Sequence, residues 1–409
     1  MKSKYRALFV LALLLITLPC AAFALGSLTI DGSAYDSAAL TGPLSGADWT
    51  WSASANSGQG ELTLNGYSGE RIAATDGVLY MHLIGENTII TNQLAALAVS
   101  GSNTGLALYG GDPAADTLTV CSTVVTGNLN NPCSAINITI SNSATIPFSF
   151  SNIGFVVDYS QVTTTGYAMG INIKHSTNSA SLFAIDMEMD NAVITMSNEN
   201  NHVTFAYGMW ASPNRGSIRA VFNHCTFNLS NFAYRGWYTG RDLAFSSSAT
   251  YNNCVFNLHS TISSSLGLHI SSDADVGFGT SKMTLNNPDG EIEVGGTAAL
   301  FVRSANPILT INGSDIQAWG PDGTELVNPH NVYLYPLQTR TTIIAQTLGL
   351  TDMDFVSHDY EDLATHIIFT PRPVQPPQTG DTSTPMLYVL LLLLAAAGIA
   401  ALRVRAVKR

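Results

Sequence analysis

The sequence has few charged side chains and very few basic ones. Charged residues make up 11% of the 409-residue chain, and the formal net charge is −12; a typical soluble domain has about 25% charged residues. Such a surface repels nucleic acid and anionic membranes, so we expect neither as a partner of the body of the protein. Lys174 and Lys282 are the two lysines between the chain ends, which argues against a lysine-linked pilus subunit.

The sequence also lacks the sustained 3.6-residue periodicity of amphipathic helices. Short β-branched and aromatic runs alternate instead with Ser, Thr, Asn and Gly, often at a period of two residues. This pattern predicts an all-β body, and its length exceeds that of one small sandwich domain.

Cysteines are scarce and are not spaced like metal ligands. No Cys-x-x-Cys or paired-histidine spacing occurs, which excludes the usual zinc sites. Cys121 and Cys133 flank a Gly- and Asn-rich turn and are predicted to form a disulfide in an oxidising compartment. Cys225 and Cys254 are expected to be neighbours in the fold, where a ladder of buried thiols is favoured over a disulfide.

Both ends of the chain carry targeting features. Three basic residues precede an apolar run at 7–18, and small residues at 22 and 24 fit cleavage before Leu25, so residues 1–24 are predicted to be a helical signal peptide. Lipidation at Cys20 is the less favoured alternative, because Pro19 precedes it. At the other end, the uncharged run 386–402 predicts a transmembrane helix over 385–402, followed by a basic cytoplasmic tail at 403–409.

A short polar peptide stands before this apolar run: Pro376, Pro377, Gln378, Thr379 and Gly380. With the apolar run and the basic tail, it resembles the cell-wall sorting signal that sortases recognise in Gram-positive bacteria. The common peptide there is Leu-Pro-x-Thr-Gly, and Pro376 replaces its leucine here. The resemblance implies that a sortase cysteine attacks the Thr379 carbonyl and passes Thr379 to an amine of peptidoglycan. An ordinary C-terminal membrane anchor is the alternative; either way, the body is displayed outside the cell.

A loose repeat runs through the body. A short apolar segment recurs at steps of 25 to 39 residues, and the second residues of its copies are Ile72, Leu97, Ile136, Ile171, Met209, Trp237, Leu268, Leu300 and Val332. A second segment repeats in phase, with Cys225 aligned on Cys254 and Phe227 on Phe256. Such repeats predict that each unit stacks on the next, with like side chains above one another.

This pattern resembles the right-handed parallel β-helix of pectin lyases, polygalacturonases and many bacterial surface adhesins. The resemblance implies a β-helix (β-solenoid) over residues 61–345. We expect an N-terminal cap at 25–60, with Trp49 and Trp51 over the open end, and a C-terminal cap at 346–370 with a strand at 367–369. A Pro-rich stalk with the sorting motif follows at 371–384. The alternative is a pair of β-sandwich domains.

One strongly alternating segment suggests metal binding or catalysis. Asp186, Glu188 and Asp190 should share one face of a strand, with apolar residues on the other. These carboxylates could hold calcium, or act as acid and base on a glycosidic bond; a solvated outer face is the simpler interpretation. The catalytic motifs of polygalacturonases and pectin lyases are absent, so a non-enzymatic role is favoured.

Two aromatic segments repeat at a step of 27 residues, 205–210 and 232–238. We expect Tyr207 above Tyr234, and Trp210 near Trp237 or Tyr238. With Arg235, and with Arg215 and Arg241 nearby, these rings could form a platform for an acidic polysaccharide. An interior aromatic ladder is the alternative. The predicted ligand-binding residues are Tyr207, Trp210, Tyr234, Arg235, Trp237 and Tyr238.

The expected function is therefore that of a secreted protein anchored to the cell wall, acting as a non-catalytic adhesin or carbohydrate-binding protein. The alternatives are an extracellular polysaccharide lyase or glycoside hydrolase of the β-helix type, and a structural surface spacer. Expected partners are sortase, peptidoglycan, and a glycan or host-surface ligand. Membrane contact is expected only through the C-terminal anchor, and no cofactor other than calcium is expected.

Overall fold

A computed structural model describes most of the body of the chain. The described residues are 25–128, 132–141, 145–175, 183–197, 199–212, 216–240, 246–272, 280–295, 298–303, 306–312, 317–319, 332–335, 353–355 and 366–371. The predicted signal peptide, sorting motif and transmembrane segment lie outside these ranges. Within them the structure is nearly all β, as the sequence predicts; the helical segments are a 3-10 turn, Ala39–Thr41, and one short turn, α1 (Ala55–Gly58).

Three long sheets contain all the strands of the described residues. Sheet A consists of β1 (Ser27–Ile30), β2 (Ser33–Asp36), β7 (Ile72–Thr75), β10 (Ala95–Gly101), β13 (Cys133–Ile140), β16 (Gly166–His175), β19 (Val203–Ser212), β22 (Phe232–Gly240), β25 (Leu266–Ser271), β28 (Ala298–Arg303) and β31 (Val332–Tyr335).

Sheet B consists of β3 (Leu44–Ser45), β4 (Trp49–Ser52), β5 (Glu61–Asn65), β8 (Val78–Ile84), β11 (Gly105–Tyr109), β14 (Ile146–Ser151), β17 (Phe183–Asp190), β20 (Gly216–Asn223), β23 (Ser246–Asn252), β26 (Thr280–Asn286) and β29 (Asn306–Asn312). Sheet C consists of β6 (Ser68–Gly69), β9 (Glu86–Thr91), β12 (Thr117–Ser122), β15 (Gly154–Asp158), β18 (Val193–Ser197), β21 (Thr226–Ser230), β24 (Val255–Ser260), β27 (Asp289–Val294), β30 (Gln317–Trp319), β32 (Met353–Phe355) and β33 (His366–Pro371).

From β7 to β30, consecutive strands enter sheets A, B and C in turn. Each strand from β8 to β28 pairs in parallel with the strands three places before and after it in the sequence, as β16 does with β13 and β19. Three consecutive strands therefore make one coil of the chain. This order is compatible with a parallel β-helix.

The predicted repeat is confirmed by the strand register. In sheet A the Cα partners run in unbroken succession through Ile72, Leu97, Ile136, Ile171, Met209, Trp237, Leu268, Leu300 and Val332. In sheet C, Phe227 pairs with Phe256 and Leu229 with Leu258. The spacing seen in the sequence thus identifies residues that lie in the same column of the structure.

One hydrophobic core runs along the inside of the three sheets. It extends from Leu25 to Leu300 and includes stacked aromatic rings, such as Phe227 and Phe256, whose centroids are 5.4 Å apart. Burying one such side chain stabilises a fold by about 1.5–3 kcal/mol. No coil can bury its apolar side chains alone, so stability comes from the stacking of neighbouring coils.

The turns between sheets B and C carry a column of residues in the left-handed backbone region. Asn152, Asn191, His224, Asn253 and Asn287 have φ angles between 46° and 53°. Asparagine tolerates this region better than most residues. Several members of this column donate a side-chain hydrogen bond to the member before them. For example, Asn287 Nδ2 donates to Asn253 Oδ1 at 3.0 Å.

The first strands of the described chain pair differently from the rest. β1 pairs antiparallel with β2 and β7, and β4 pairs antiparallel with β3 and β5. Trp49 and Trp51 are buried on β4, and Trp51 Nε1 donates to the Leu40 carbonyl at 3.0 Å. At the other end, the strand predicted at 367–369 lies within β33, which pairs antiparallel with β30.

Candidate functional site

The aromatic segments predicted as a binding platform lie on β19 and β22 of sheet A. The register shifts between Ala168 and Met169 on β16, and between Phe205 and Tyr207 on β19. Such bulges re-aim the neighbouring side chains. As a result Met169 and Tyr207 belong to a second, small hydrophobic cluster that is separate from the main core.

Trp210 and Tyr234 pack against this second cluster. Because Met209 and Ala211 on either side of Trp210 belong to the main core, Trp210 faces the opposite, outer side of the strand. The Tyr207 ring stacks on Trp210 at 5.2 Å and on Tyr234 at 6.1 Å between centroids. We call Tyr207, Trp210, Tyr234 and Arg235 the outer cluster.

Arg235 holds the outer cluster together through its guanidinium group. This group lies 5.7 Å from the Tyr207 ring centroid and 4.8 Å from that of Tyr238, distances that allow cation–π attraction. Arg235 Nη1 donates to Tyr207 Oη at 3.4 Å, and Arg235 Nε donates to His269 Nδ1 at 2.7 Å. Burial raises the pKa of Tyr207, so its hydroxyl is uncharged at neutral pH.

The structure corrects the prediction for Trp237. This side chain is fully buried (0% exposed) in the main core, with its ring 4.8 Å from that of Phe227 and 5.9 Å from that of Phe222. Its partners in register are Met209 and Leu268, which also face the core. Trp237 therefore belongs to the interior ladder that was the alternative hypothesis, and it cannot contact a ligand on the surface.

The accessible part of the predicted binding surface is also smaller than the sequence suggests. Tyr207 and Tyr238 are 8% and 5% exposed, whereas Trp210, Tyr234 and Arg235 remain partly accessible. Tyr238 stacks on His269 at 4.2 Å, and its hydroxyl is hydrogen-bonded to Ser271 Oγ at 2.6 Å. The accessible contact surface thus consists of one indole, one phenol and one guanidinium group. Arg215 and Arg241 lie outside the described residues.

The backbone register around the cluster partly matches the prediction. Trp210 pairs with Tyr238, as expected, but Tyr207 pairs with Arg235 rather than with Tyr234. The register shifts here by one residue, because two steps along β19 correspond to three along β22. The rings of Tyr207 and Tyr234 still stack, although these two residues are not partners in the backbone register.

Two asparagines that the sequence reasoning did not select continue the same outer column. Asn137, Asn172, Trp210, Tyr238 and His269 are successive partners in register. Asn172 Nδ2 donates to Asn137 Oδ1 at 2.9 Å. The signal was present in the sequence, since Ile136-Asn137-Ile138 and Ile171-Asn172-Ile173 place an amide at the same point of two successive repeats.

Some polar atoms of this column are buried and make no hydrogen bond among the described residues. They include Asn172 Oδ1, an acceptor, and Trp210 Nε1, a donor. Leaving a buried polar group unpaired costs about 1–3 kcal/mol, and such groups are uncommon in folded proteins.

The predicted metal site is not assembled. Asp186, Glu188 and Asp190 do share the outer face of β17, with Met187 and Met189 buried behind them. However, Arg219 Nε on the next strand donates to Asp186 Oδ1 at 2.8 Å, and the three carboxylates are spread along the strand at about 6.8 Å intervals. Among the described residues, no group of three His, Cys, Asp or Glu side chains is placed to hold a metal ion.

The predicted disulfide is also absent, and all four cysteines of the described residues are free thiols. Cys121 lies on the outer side of β12, where its thiol donates to Asp158 Oδ2 at 3.8 Å. Cys133 is buried and its Sγ lies 3.4 Å from Ser122 Oγ. The two thiols therefore contact different partners and are not bonded to each other. Cys225 and Cys254 form the expected buried thiol pair.

A polar cavity of about 470 Å³ lies at the turn between sheets C and A, lined in part by Asp158, Glu199, Asn200 and His202. Its polar groups are largely used within the turn. Asn200 Nδ2 donates to the Val162 carbonyl at 2.7 Å, and Asp158 Oδ1 accepts from the Ser160 backbone at 2.7 Å. We interpret it as a structural corner.

No helical segment in the described ranges has the length and hydrophobicity of a membrane span. The sorting residues Pro376, Pro377, Gln378, Thr379 and Gly380 lie outside the described part of the chain. No protein-family model, curated protein or solved structure matches this chain.

Proposed function

We propose that this chain is a non-catalytic, carbohydrate-binding surface protein whose body is a right-handed parallel β-helix anchored to the bacterial cell wall. The three-sheet strand order and the register of the repeat support the β-helix. The order of polar peptide, apolar run and basic tail after residue 375 supports sortase anchoring. Carbohydrate binding rests on the outer cluster.

One observation carries the binding proposal: a partly accessible stack of Trp210, Tyr234 and Arg235 beside buried polar atoms without partners. Sugar rings bind to proteins by packing apolar faces on aromatic rings while their hydroxyls make hydrogen bonds. Trp210 supplies both a ring and, through Nε1, an unpaired donor. Asn172 Oδ1 supplies an unpaired acceptor on the adjacent strand.

The experiment is a glycan array probed with the purified full chain and with Trp210→Ala. We expect binding to a defined set of glycans, and loss of that binding in the variant. The matched control is Tyr80→Ala, which removes a half-buried aromatic from β8 on a different sheet. Binding that survives in Trp210→Ala would reject the site, and an empty array would favour the structural spacer.

Wall anchoring has an independent test. Mass spectrometry of protein released from the wall by peptidoglycan hydrolases should show Thr379 joined to a wall peptide and no residue beyond it. Thr379 still joined to Gly380 in that material would reject sortase processing, and the membrane-anchor alternative would then hold.

A further inference from the structure

A second cavity opens on the outer side of sheet A, two coils before the outer cluster. Its volume is about 260 Å³, and its wall includes Arg71, Gln93, Leu94, Ala98, Ser134 and Asn137. We call it the Arg71 pocket. It combines one cation, two amides and a hydroxyl with apolar side chains such as Leu94 and Ala98, which is a composition suited to a small polar ligand.

The pocket exists because the outer column changes in size along the stack. Ala73, Ala98 and Asn137 are successive partners in register, and the same column then continues to Asn172 and Trp210. Where later coils carry large side chains, the early coils carry alanines. The small residues leave a depression in the sheet surface that the neighbouring turns enclose.

Arg71 is the unusual member of the pocket. Its Nε is buried and makes no hydrogen bond with the described residues, and no carboxylate of the described part of the chain lies within ion-pairing distance of its guanidinium. Acidic residues outnumber basic ones in this chain, 29 against 17. An arginine left without an acidic partner in such a protein is therefore available to an external anion.

The nearest acidic group in the hydrogen-bond network is already engaged. Asp31 Oδ1 accepts from Tyr67 Oη at 2.6 Å and from the Glu70 backbone at 2.7 Å. The Asp31 backbone N–H donates to the Arg71 carbonyl at 3.1 Å. Among the described residues, no ion pair joins the side chains of Asp31 and Arg71.

We propose that the Arg71 pocket binds the carboxylate of a sugar acid within a glycan, and this inference rests on the proposed carbohydrate-binding function. The guanidinium group is suited to a carboxylate because it can donate two parallel hydrogen bonds. Gln93 and Asn137 supply amide groups for the ring hydroxyls, and the Ala98 side accommodates the apolar face of the ring.

The pocket and the outer cluster fit one extended ligand. Asn137, in the pocket wall, is two strands from Trp210 in the same column, which corresponds to about 10 Å along the stack. Arg235 adds a second cation at the outer cluster. A glycan with acidic residues lying along sheet A would therefore meet a cation at each end.

The test is a calorimetric titration of the detergent-solubilised full chain with methyl glucuronide, methyl glucoside and acetate. The two glycosides differ only in a carboxylate in place of a hydroxymethyl group. We expect the glucuronide to bind at least about tenfold more tightly than the glucoside, because hydrogen bonds to charged groups are the stronger ones. Acetate, which lacks the ring, should bind more weakly than the glucuronide.

Two pocket variants and one control complete the design. Arg71→Gln should remove the preference for the glucuronide, and Ala98→Phe should fill the pocket, since later coils carry large residues at this column position. Arg219→Gln removes the same charge from an exposed side chain on β20 and should leave glycoside binding unchanged. Melting temperatures measured in parallel show that each variant is folded.

Equal affinities for the two glycosides, or an unchanged preference in folded Arg71→Gln, would overturn the proposal. Acetate binding as tightly as the glucuronide would overturn the assignment to a sugar acid. Trp210→Ala separates this proposal from the proposed function: it should keep the monosaccharide binding at Arg71 while it loses array binding. Glycan-array binding that depends on Trp210 but not on Arg71 would support the proposed function and contradict the role of the Arg71 pocket in it.

Discussion

At the scale of single residues, neighbouring aromatic side chains of sheet A have opposite roles. Trp237 is fully buried between Phe222 and Phe227, whereas Trp210 faces outward and is partly accessible. We predict that Trp237→Ala lowers the free energy of unfolding by about 3–5 kcal/mol, because it removes a large core side chain and leaves a cavity. Trp210→Ala should lose about 1 kcal/mol, the value of an aromatic contact near the surface.

Urea unfolding followed by circular dichroism measures both changes. The two variants delete the same side chain, so each serves as the control for the other. A loss for Trp210→Ala as large as that for Trp237→Ala would show that Trp210 is a core residue, and the binding proposal would lose its contact surface.

The left-handed turn residues allow a second prediction at this scale. Asn253 has φ of 51°. Its side chain accepts a hydrogen bond from Asn287 in the next coil and contacts His224 in the previous coil. Asn253→Ala should cost about 1–2 kcal/mol, because alanine is strained in this backbone region. Asn253→Gly removes the same side chain without that strain and should cost less. Equal losses in thermal unfolding would assign the effect to the side-chain ladder alone.

At the scale of the strand, glycines permit the close approach of successive coils beside the outer cluster. A Cβ on Gly208 would lie 2.2 Å from the Gly236 carbonyl oxygen, and one on Gly170 would lie 2.5 Å from that of Gly208. The backbone must move to admit any side chain at these points. These glycines directly precede the inward residues Ile171, Met209 and Trp237.

We therefore predict that Gly208→Ala destabilises the protein by about 1–3 kcal/mol, as overpacking does in other interiors. Gly127→Ala is the matched control, since a Cβ at that position meets nothing within 4 Å. Differential scanning calorimetry of both variants tests the idea. A Gly208→Ala melting temperature equal to that of the control would show that the strands can separate at no cost.

The same strands show what sequence can and cannot predict here. The inward column from Ile72 to Leu300, which includes Trp237, was predictable, because the recurrence of like residues identifies stacked positions. The pairing of Tyr207 with Arg235 instead of Tyr234 was not predictable, because the register between β19 and β22 shifts by one residue just before it. The Arg71 pocket was also hidden, since it depends on residues from several coils and on the absence of an ion pair.

At the scale of the whole molecule, the body is a stack of similar three-strand coils in which each coil mainly contacts its two neighbours. His224 and Asn253 occupy the same turn position in successive coils, with φ of 53° and 51°. Cys225 and Cys254 follow them and are both buried. A chain built in this way should tolerate the loss of one complete unit, because the strands on either side keep equivalent partners.

The prediction is that deleting residues 225–253 leaves a folded protein. The deletion removes β21, β22 and β23 and joins His224 directly to Cys254, so that β20 of sheet B is again followed by a strand of sheet C. Size-exclusion chromatography and far-UV circular dichroism should report a compact β protein with a cooperative thermal transition. The control deletion, 225–240, removes β21 and β22 alone and places β23 where a strand of sheet C belongs. It should aggregate, because the residues of β23, which pair within sheet B, would then occupy a position in sheet C. If both deletions behave alike, the coils are not interchangeable units, and the β-helix would have to be abandoned along with the extended ligand path across it.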